Sequence, residues 1–275
     1  MVEKMKIGNR EFDLLNHTYI MGILNVTPDS FSDGGKFDQL DTALYQAEKM
    51  LKEGADIIDI GGESTRPGFA YVPAEEEIER TIPVIEGIRK RFDTVISIDT
   101  YKAETARAAI KAGASLVNDV WGLKRDDEIA NVIAQAKVAC CLMHNRTNTE
   151  YVHFMQDIKA DLEESMELAR KAGISKDQII LDPGVGFAKS VEQNLEAIGK
   201  VGELLEFGCP VLLATSRKSV IGKTLDLEVD QRLEGTLVTT VMGVMAGCSF
   251  VRVHDVKENK RAIQMTRAIL DQVKR

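Results

Sequence analysis

The 275-residue chain is short of every feature that would hold it together other than an apolar core. Its four cysteines, Cys140, Cys141, Cys209 and Cys248, fall on or beside apolar stretches and lack metal-ligand spacing. They read as buried free thiols of a reducing compartment, with no chemistry of their own. No apolar run has the character of a membrane span. The longest segment without charge, 235–251, contains Thr236, Thr239 and Thr240 with Gly235, Gly243 and Gly247, and reads as a helix, a turn at Gly247 and a strand. The N-terminal residues lack the apolar stretch of a secretory signal, so a cytoplasmic location is expected. Positive charge is scarce too. Lys and Arg total 35 against 43 Asp and Glu, and the net charge of −8 argues against nonspecific binding to nucleic acid or acidic membranes. Any anionic substrate must therefore be held by a local cluster of positive groups. There is no linker, low-complexity tract or sequence repeat, and residues 1–275 read as one domain.

What the chain does have is 44% apolar residues, enough for a large core, laid out in a regular alternation. Short apolar runs at 19–24, 57–60, 95–99, 116–119, 139–143, 179–182, 211–214 and 250–253 each end in a polar or glycine-rich turn, as strands buried on both faces do. Amphipathic stretches separate them. One runs over 41–54, with Asp41 as N-cap, Gly54 as C-cap, and Leu44, Ala47 and Leu51 on one face. Another covers 74–92, with Glu75, Glu76 and Glu77 in its first turn and Pro83 expected to kink or split it. The last begins near Val256 and uses Ile263 and Ile269 as core anchors. Eight strands alternating with eight helices imply an α/β fold, a single (β/α)8 TIM barrel rather than an open doubly wound sheet. The residues before Tyr19, with Ile7 and Phe12 around Gly8, are expected to form a hairpin closing the barrel bottom.

In such barrels the chemistry sits at the C-terminal strand ends. Those ends carry Asn25; Asp59, running into Gly62-Glu63-Ser64-Thr65-Arg66-Pro67; Asp99; Asn118 and Asp119; Met143 and His144; Asp182-Pro183-Gly184-Val185-Gly186-Phe187-Ala188-Lys189; Thr215-Ser216-Arg217-Lys218-Ser219; and Arg252, His254 and Asp255. A lone carboxylate at a strand end is often the N-cap of the next helix, the simpler reading for Asp119 and Asp255. So many polar ends converging on one mouth form a site. Asp99, Asn118 and Asp182 suit the N–H edge of a flat heterocycle, and an ionised carboxylate can accept two parallel charge-assisted bonds from it. Lys218 could donate to a ring nitrogen or carbonyl, while Asn25, Arg252 and His254 offer donors to an anion such as pyrophosphate.

The segments Asn25-Val26-Thr27-Pro28-Asp29-Ser30-Phe31, Gly62 to Pro67, Asn118-Asp119, Asp182 to Phe187, Ser216-Arg217-Lys218-Ser219 and Arg252-Val253-His254-Asp255 resemble, in order and spacing, the motifs of the dihydropteroate synthase family of pterin-binding enzymes. The resemblance covers nearly the whole chain. It implies that Asp99, Asn118, Asp182 and Lys218 hold a pterin, with Met143, Gly186 and Phe187 lining its slot. Asn25, Arg252 and His254 would hold the pyrophosphate, with Mg²⁺ at Asn25. Thr65, Arg66, Pro67 and Ser219 would form the p-aminobenzoate site, joined by Phe31 and Asp33 from the first loop. Asp33, Lys218, Arg252 and Asp99 would be the catalytic groups. Ser219 is expected to open a helix whose amides suit a carboxylate. Ala188 and Ala214 stand where the family commonly has glycine. A homodimer through late helices such as 236–246 is also implied.

The implied reaction replaces the pyrophosphate of a 6-hydroxymethyl-7,8-dihydropterin by the nitrogen of p-aminobenzoate. The electron-rich ring can stabilise positive charge on its methylene, so a dissociative path is expected, and the loops exclude water that would trap the cation. Two decoys fall away. Gly222-Lys223-Thr224 ends like a phosphate-binding loop, but the position where its first glycine belongs holds Arg217. Ser216 with Lys218 lacks the Gly-x-Ser-x-Gly elbow of a nucleophile. The rival enzyme is a pterin-binding methyltransferase acting between methyltetrahydrofolate and a corrinoid protein, which should lack the Thr27–Phe31 loop motif and the Ser216–Ser219 turn. The non-enzyme reading is a pterin-binding paralogue, which should have decayed at Asn25, Lys218 or Arg252.

Overall fold

The structure is a computed structural model describing residues 3–27, 36–63 and 71–273, with only the backbone described at 36–38. It opens with an antiparallel hairpin, β1 (Lys4–Ile7) and β2 (Arg10–Asp13), turning at Gly8. The φ of Gly8 is +60°, and a Cβ there would lie 2.7 Å from Ser115 Oγ, so both conformation and space call for glycine. Eight parallel strands follow: β3 (Tyr19–Asn25), β4 (Ile57–Gly61), β5 (Val95–Asp99), β6 (Leu116–Asp119), β7 (Ala139–Met143), β8 (Ile179–Asp182), β9 (Leu212–Leu213) and β10 (Phe250–Val253). Their order is β8-β7-β6-β5-β4-β3-β10-β9. A parallel bridge between Leu181 and Val211, with Leu181 N–H donating to Pro210 O at 2.9 Å, closes the sheet into the expected barrel. β9 is two residues where the sequence suggests four. Val211 pairs outside it, as an isolated bridge to Leu181.

The hairpin does close the bottom. Met5, Ile7 and Phe12 pack in one buried cluster with Met21, Ile57, Val95, Leu116, Ala139, Leu212 and Phe250 from the lower strands. A larger cluster lies between the strands' outer faces and the helices.

The helices are α1 (Lys36–Glu53), α2 (Ala74–Arg91), α3 (Ala103–Ala112), α4 (Ile129–Ala136), α5 (Phe154–Ala172), α6 (Val191–Gly199), α7 (Ser219–Leu225), α8 (Leu233–Ala246) and α9 (Val256–Val273). The described residues thus hold nine α-helices, not eight, because the short α7 sits between β9 and α8. Asp41 is not an N-cap. α1 begins five residues earlier, and the Asp41 carboxylate faces Arg91 at 3.7 Å. α2 runs unbroken through Pro83. Ile263 is buried as expected, but Ile269 is 52% exposed. The buried stripe of α9 is Val256, Asn259, Ile263 and Thr266, and six further residues past Ile263 turn a side chain well away from it. All four cysteines are free and buried. Among the described residues, no helix is long and apolar enough to cross a membrane.

Candidate active site

Alternation along the strands turns every second side chain into the barrel. The lower inward layer is apolar. Above it stand Asp59 of β4, its register partner Ser97 of β5, Asn118 of β6 and Arg252 of β10, and nearer the mouth Asn25, Asp99, Met143 and Asp182. Arg252 bridges two carboxylates: Nε donates to Asp59 Oδ2 and Nη2 to Asp99 Oδ2, both at 2.6 Å. Asn118 Nδ2 donates to Asp59 Oδ2 at 3.4 Å. Asp59 is fully buried and Asp99 nearly so. Their second oxygens, Asp59 Oδ1 and Asp99 Oδ1, and Ser97 Oγ are buried without a hydrogen-bond partner. Buried polar atoms are rarely left so, and two carboxylate oxygens and a hydroxyl at adjoining levels of the barrel fit a guest rich in N–H groups. Burial pushes the Asp99 carboxyl up to about 7, with Arg252 pulling down and Asp59 pushing up. Burial also raises Asp182, against the pull of Lys218. For Arg252, burial works against the charge, but Asp59 and Asp99 outweigh it and hold the guanidinium above its usual range.

The wall of the mouth comes from two turns. After β8, Gly184 N–H donates to Asp182 Oδ1 at 2.7 Å. After β9, Lys218 reaches across, its Nζ donating to Val185 O at 2.6 Å and lying 5.0 Å from the Phe187 ring centre. Gly186 has a φ of +89°, and a Cβ there would lie 3.2 Å from Lys218 Cδ, so glycine lets the lysine stem pass. Ser216 Oγ holds His254 at two points, its backbone N–H at 3.1 Å and Nδ1 at 2.9 Å. Arg217 sits between Ser216 and Lys218 in the left-handed region at φ +57°. Its N–H donates to Thr236 Oγ1, its carbonyl accepts from Arg232, and its guanidinium forks onto Asp255. Ser219 then opens α7 and is exposed. At seven residues α7 is a weak dipole, and Ser219 offers a hydroxyl more than a helix end.

Residues 21–254 match the family of pterin binding enzymes. The chain is 57% identical to a dihydropteroate synthase of Clostridium beijerinckii over 97% of this chain and 99% of that protein. It is 53% identical to one of Bacillus subtilis over 92% and 89%. A crystal structure of a dihydropteroate synthase from Clostridium difficile, in the presence of pteroic acid, superposes with a TM-score of 0.92 at 54% identity, covering 94% of this chain and 98% of that one. Another, from Xanthomonas albilineans with 4-aminobenzoic acid, gives 0.93 at 37% identity, covering 98% and 99%.

The chain belongs to the pterin-binding enzymes, among the dihydropteroate synthases.

This synthase fold brings together Asp99, Asn118, Asp182, Lys218, Arg252, Met143, Gly186 and Phe187 around one mouth, with Asn25 and His254 at its edge. Phe31, Asp33, Thr65, Arg66 and Pro67 lie outside the described residues. Asp119 turns away from the mouth: its carboxylate accepts the N–H groups of Trp121 and Leu123. It caps the turn that follows β6, not the next helix as the sequence suggests, since α4 begins only at Ile129. Asp255 is only partly such a cap. Its carbonyl accepts Asn259 N–H at the start of α9, while its carboxylate goes to Arg217. Asp59 is the group that sequence reasoning left without a role, and it is the second anchor of Arg252. Its signal was legible, because a lone charge inside Ile57-Ile58-Asp59-Ile60 must be paired.

Proposed function

We propose that this barrel mouth condenses 6-hydroxymethyl-7,8-dihydropterin pyrophosphate with p-aminobenzoate, giving 7,8-dihydropteroate and pyrophosphate in folate biosynthesis. The observation that carries the reading is the pair of buried carboxylate oxygens left without partners, Asp59 Oδ1 and Asp99 Oδ1, beside Asn118, Asp182 and Lys218. Asp99, Asn118 and Asp182 would accept the ring's N–H and amino hydrogens, and Lys218 would donate to its carbonyl or nitrogen. Met143, Gly186 and Phe187 would line its faces. Arg252, with two of its three guanidinium nitrogens on carboxylates, and His254, held by Ser216, would meet the pyrophosphate with Asn25. Phe31, Thr65, Arg66, Pro67 and Ser219 would hold p-aminobenzoate, and Asp33 would face the pterin's developing positive charge.

In the reaction the bond from the methylene carbon to the pyrophosphate oxygen breaks, and its electron pair leaves with pyrophosphate. The p-aminobenzoate nitrogen gives its lone pair to that carbon and then loses a proton. Aniline nitrogen is neutral and nucleophilic at pH 7, so the site needs no strong base. It needs cations at the leaving group and negative charge near the ring. Asn25 would offer its Oδ1, an oxygen ligand of the kind hard cations take, at the end of β3. No group of three His, Cys, Asp or Glu residues suited to a metal occurs among the described residues, so water and substrate phosphate would complete the shell. Mg²⁺ held there would offset charge on the leaving pyrophosphate.

The same reading makes the enzyme a cytoplasmic homodimer. Val238, Met242 and Met245 are exposed at helical spacing on α8, as are Met265 and Ile269 on α9, and these faces suit a second copy. Sedimentation at micromolar concentration tests this, and a monomer refutes it. The function is tested by pyrophosphate release from the pterin substrate and Mg²⁺, with and without p-aminobenzoate. Release that depends on p-aminobenzoate and yields dihydropteroate is expected. Pterin binding without condensation would favour the methyltransferase or a silent paralogue, and no binding would overturn the pocket itself.

A further inference from the structure

Two strand-end residues have no part in this chemistry, His144 just after β7 and Lys189 at the end of the loop after β8. They meet behind the pocket. Lys189 Nζ lies 2.8 Å from His144 Nδ1 and donates to Gly184 O at 3.0 Å and Phe187 O at 3.1 Å. An ammonium has three hydrogens, and here they find three acceptors. With Nδ1 accepting, the ring proton of His144 stands on Nε2, which donates to Asp161 Oδ2 at 2.9 Å. The ring is 2% exposed, and burial pushes it down to about 4, so it stays neutral. Asp161 also takes Arg146 Nε, and Arg146 lies 4.5 Å from the Tyr151 ring centre. Tyr151 in turn donates its hydroxyl to Ala188 O at 2.9 Å.

The loop is therefore held at four of its carbonyls. Gly184 and Phe187 are held by Lys189, Val185 by Lys218 from the pocket side, and Ala188 by Tyr151. It also rests directly on β7's exit. Gly184 has a φ of +68°, and a Cβ there would fall 1.9 Å from His144 O, so no other residue fits.

We propose that Lys189 and His144 are positioning residues for the pterin slot, fixing the 183–188 loop that presents Gly186 and Phe187 and receives Lys218, without touching substrate. The proposal rests on the reading of that slot given above. It carries a pH signature. Lys189 is faced by Asp182 and Asp161, which favour its charge, by Lys218 and Arg146, which oppose it, and by neutral His144; burial, the largest influence, brings it down to about 7. As pH rises through that value the amine keeps two hydrogens for three acceptors, and the loop loosens.

The test compares wild type, Lys189→Met, Asp161→Asn and Tyr151→Phe by calorimetric titration with 6-hydroxymethyl-7,8-dihydropterin pyrophosphate, and by KM for both substrates. Lys189→Met should weaken pterin binding about tenfold, the worth of one charge-assisted bond, while the KM of p-aminobenzoate moves far less. Asp161→Asn and Tyr151→Phe should act in the same direction and more weakly. Wild-type affinity should fall relative to that of Lys189→Met as pH rises above about 7; the titration of Asp99 is common to both proteins and cancels. Pterin affinity within about twofold of wild type in Lys189→Met, or equal rises in both KM values, overturns the proposal. Should Lys189→Met fail to fold, unchanged pterin affinity in the other two variants overturns it as well. Absence of pterin binding by wild type overturns the slot reading, and the proposal with it.

Discussion

Replacing Arg252 by Met keeps an apolar stem and removes the guanidinium on which Asp59 and Asp99 both depend. Neither carboxylate can reach solvent instead, since Asp59 is fully buried and Asp99 is 4% exposed. Asp99 already stands at about 7 against an ordinary 3.8, chiefly through burial. A carboxyl raised by folding contributes stability that is complete below 3.8 and lost as pH rises through the folded value. For one proton that loss is about 1.4 kcal/mol per pH unit. Between about pH 6 and pH 8 wild type should therefore lose about 1.4 kcal/mol from this group, the decline ending near 7. Without Arg252, which pulls the carboxyl down, Asp99 moves further up, and the decline continues across the interval to about 2.7 kcal/mol. Where the two carboxylates stay charged, the broken pair costs about 3–5 kcal/mol. Urea unfolding of both proteins across that range measures this. Curves that run parallel would show that Arg252 does not hold the charge of Asp99, and the electrostatic account of the pocket floor would fail.

Lys102→Met should cost about 3–5 kcal/mol at pH 8, because Lys102 pairs with both Glu63 and Glu77, which are buried with it. Burial already raises Glu77, so protonation should recover part of that loss near pH 5, and equal losses at both pH values in urea unfolding would refute the account. Asp182→Asn should weaken pterin binding by about 2–4 kcal/mol, since an amide presents a donor to the ring's donors; wild-type affinity by calorimetry would remove Asp182 from the site. Ala188 has a φ of +45°, which costs a non-glycine residue about 1–2 kcal/mol, while glycine costs back about 0.4–1 kcal/mol in the unfolded chain. Ala188→Gly should therefore be neutral or slightly stabilising in thermal unfolding, and a clear loss would mean that the methyl's packing outweighs the strain.

The barrel was legible because each strand is a short apolar run with a polar or glycine stop, a pattern set by burial on both faces. The C-terminal ends of barrel strands share one mouth, so Asp99, Asn118, Asp182 and Arg252 could be placed there from the sequence. The errors have local causes. The helix expected to open at Ser219 does so, but it stops at Leu225 and α8 follows as a separate helix, and seven residues are too few for a helical period to mark that break. Ile269 is apolar but lies off the buried stripe of α9, and composition alone cannot tell a core anchor from an exposed face. The link between Lys189 and His144 left no sequence trace, because it joins side chains of two loops 45 residues apart, and the other two partners of Lys189 are backbone carbonyls that any sequence would carry.

The charges in the mouth bear on why an ordinary heterocycle would react there. Asp59, Asp99 and Asp182 face Arg252 and Lys218, so the layer holds one negative charge in excess when all are ionised. A neutral ring would gain little from that excess, whereas a ring whose methylene has become cationic would gain a great deal. Arg252 serves both sides of that difference. It is shared between the carboxylates of Asp59 and Asp99 and pulls the Asp99 carboxyl down against burial, and its remaining nitrogen belongs to the same guanidinium that would meet the departing pyrophosphate. A lysine at this position could not do the same, because one ammonium lacks the planar fork that reaches Asp59 and Asp99 at once.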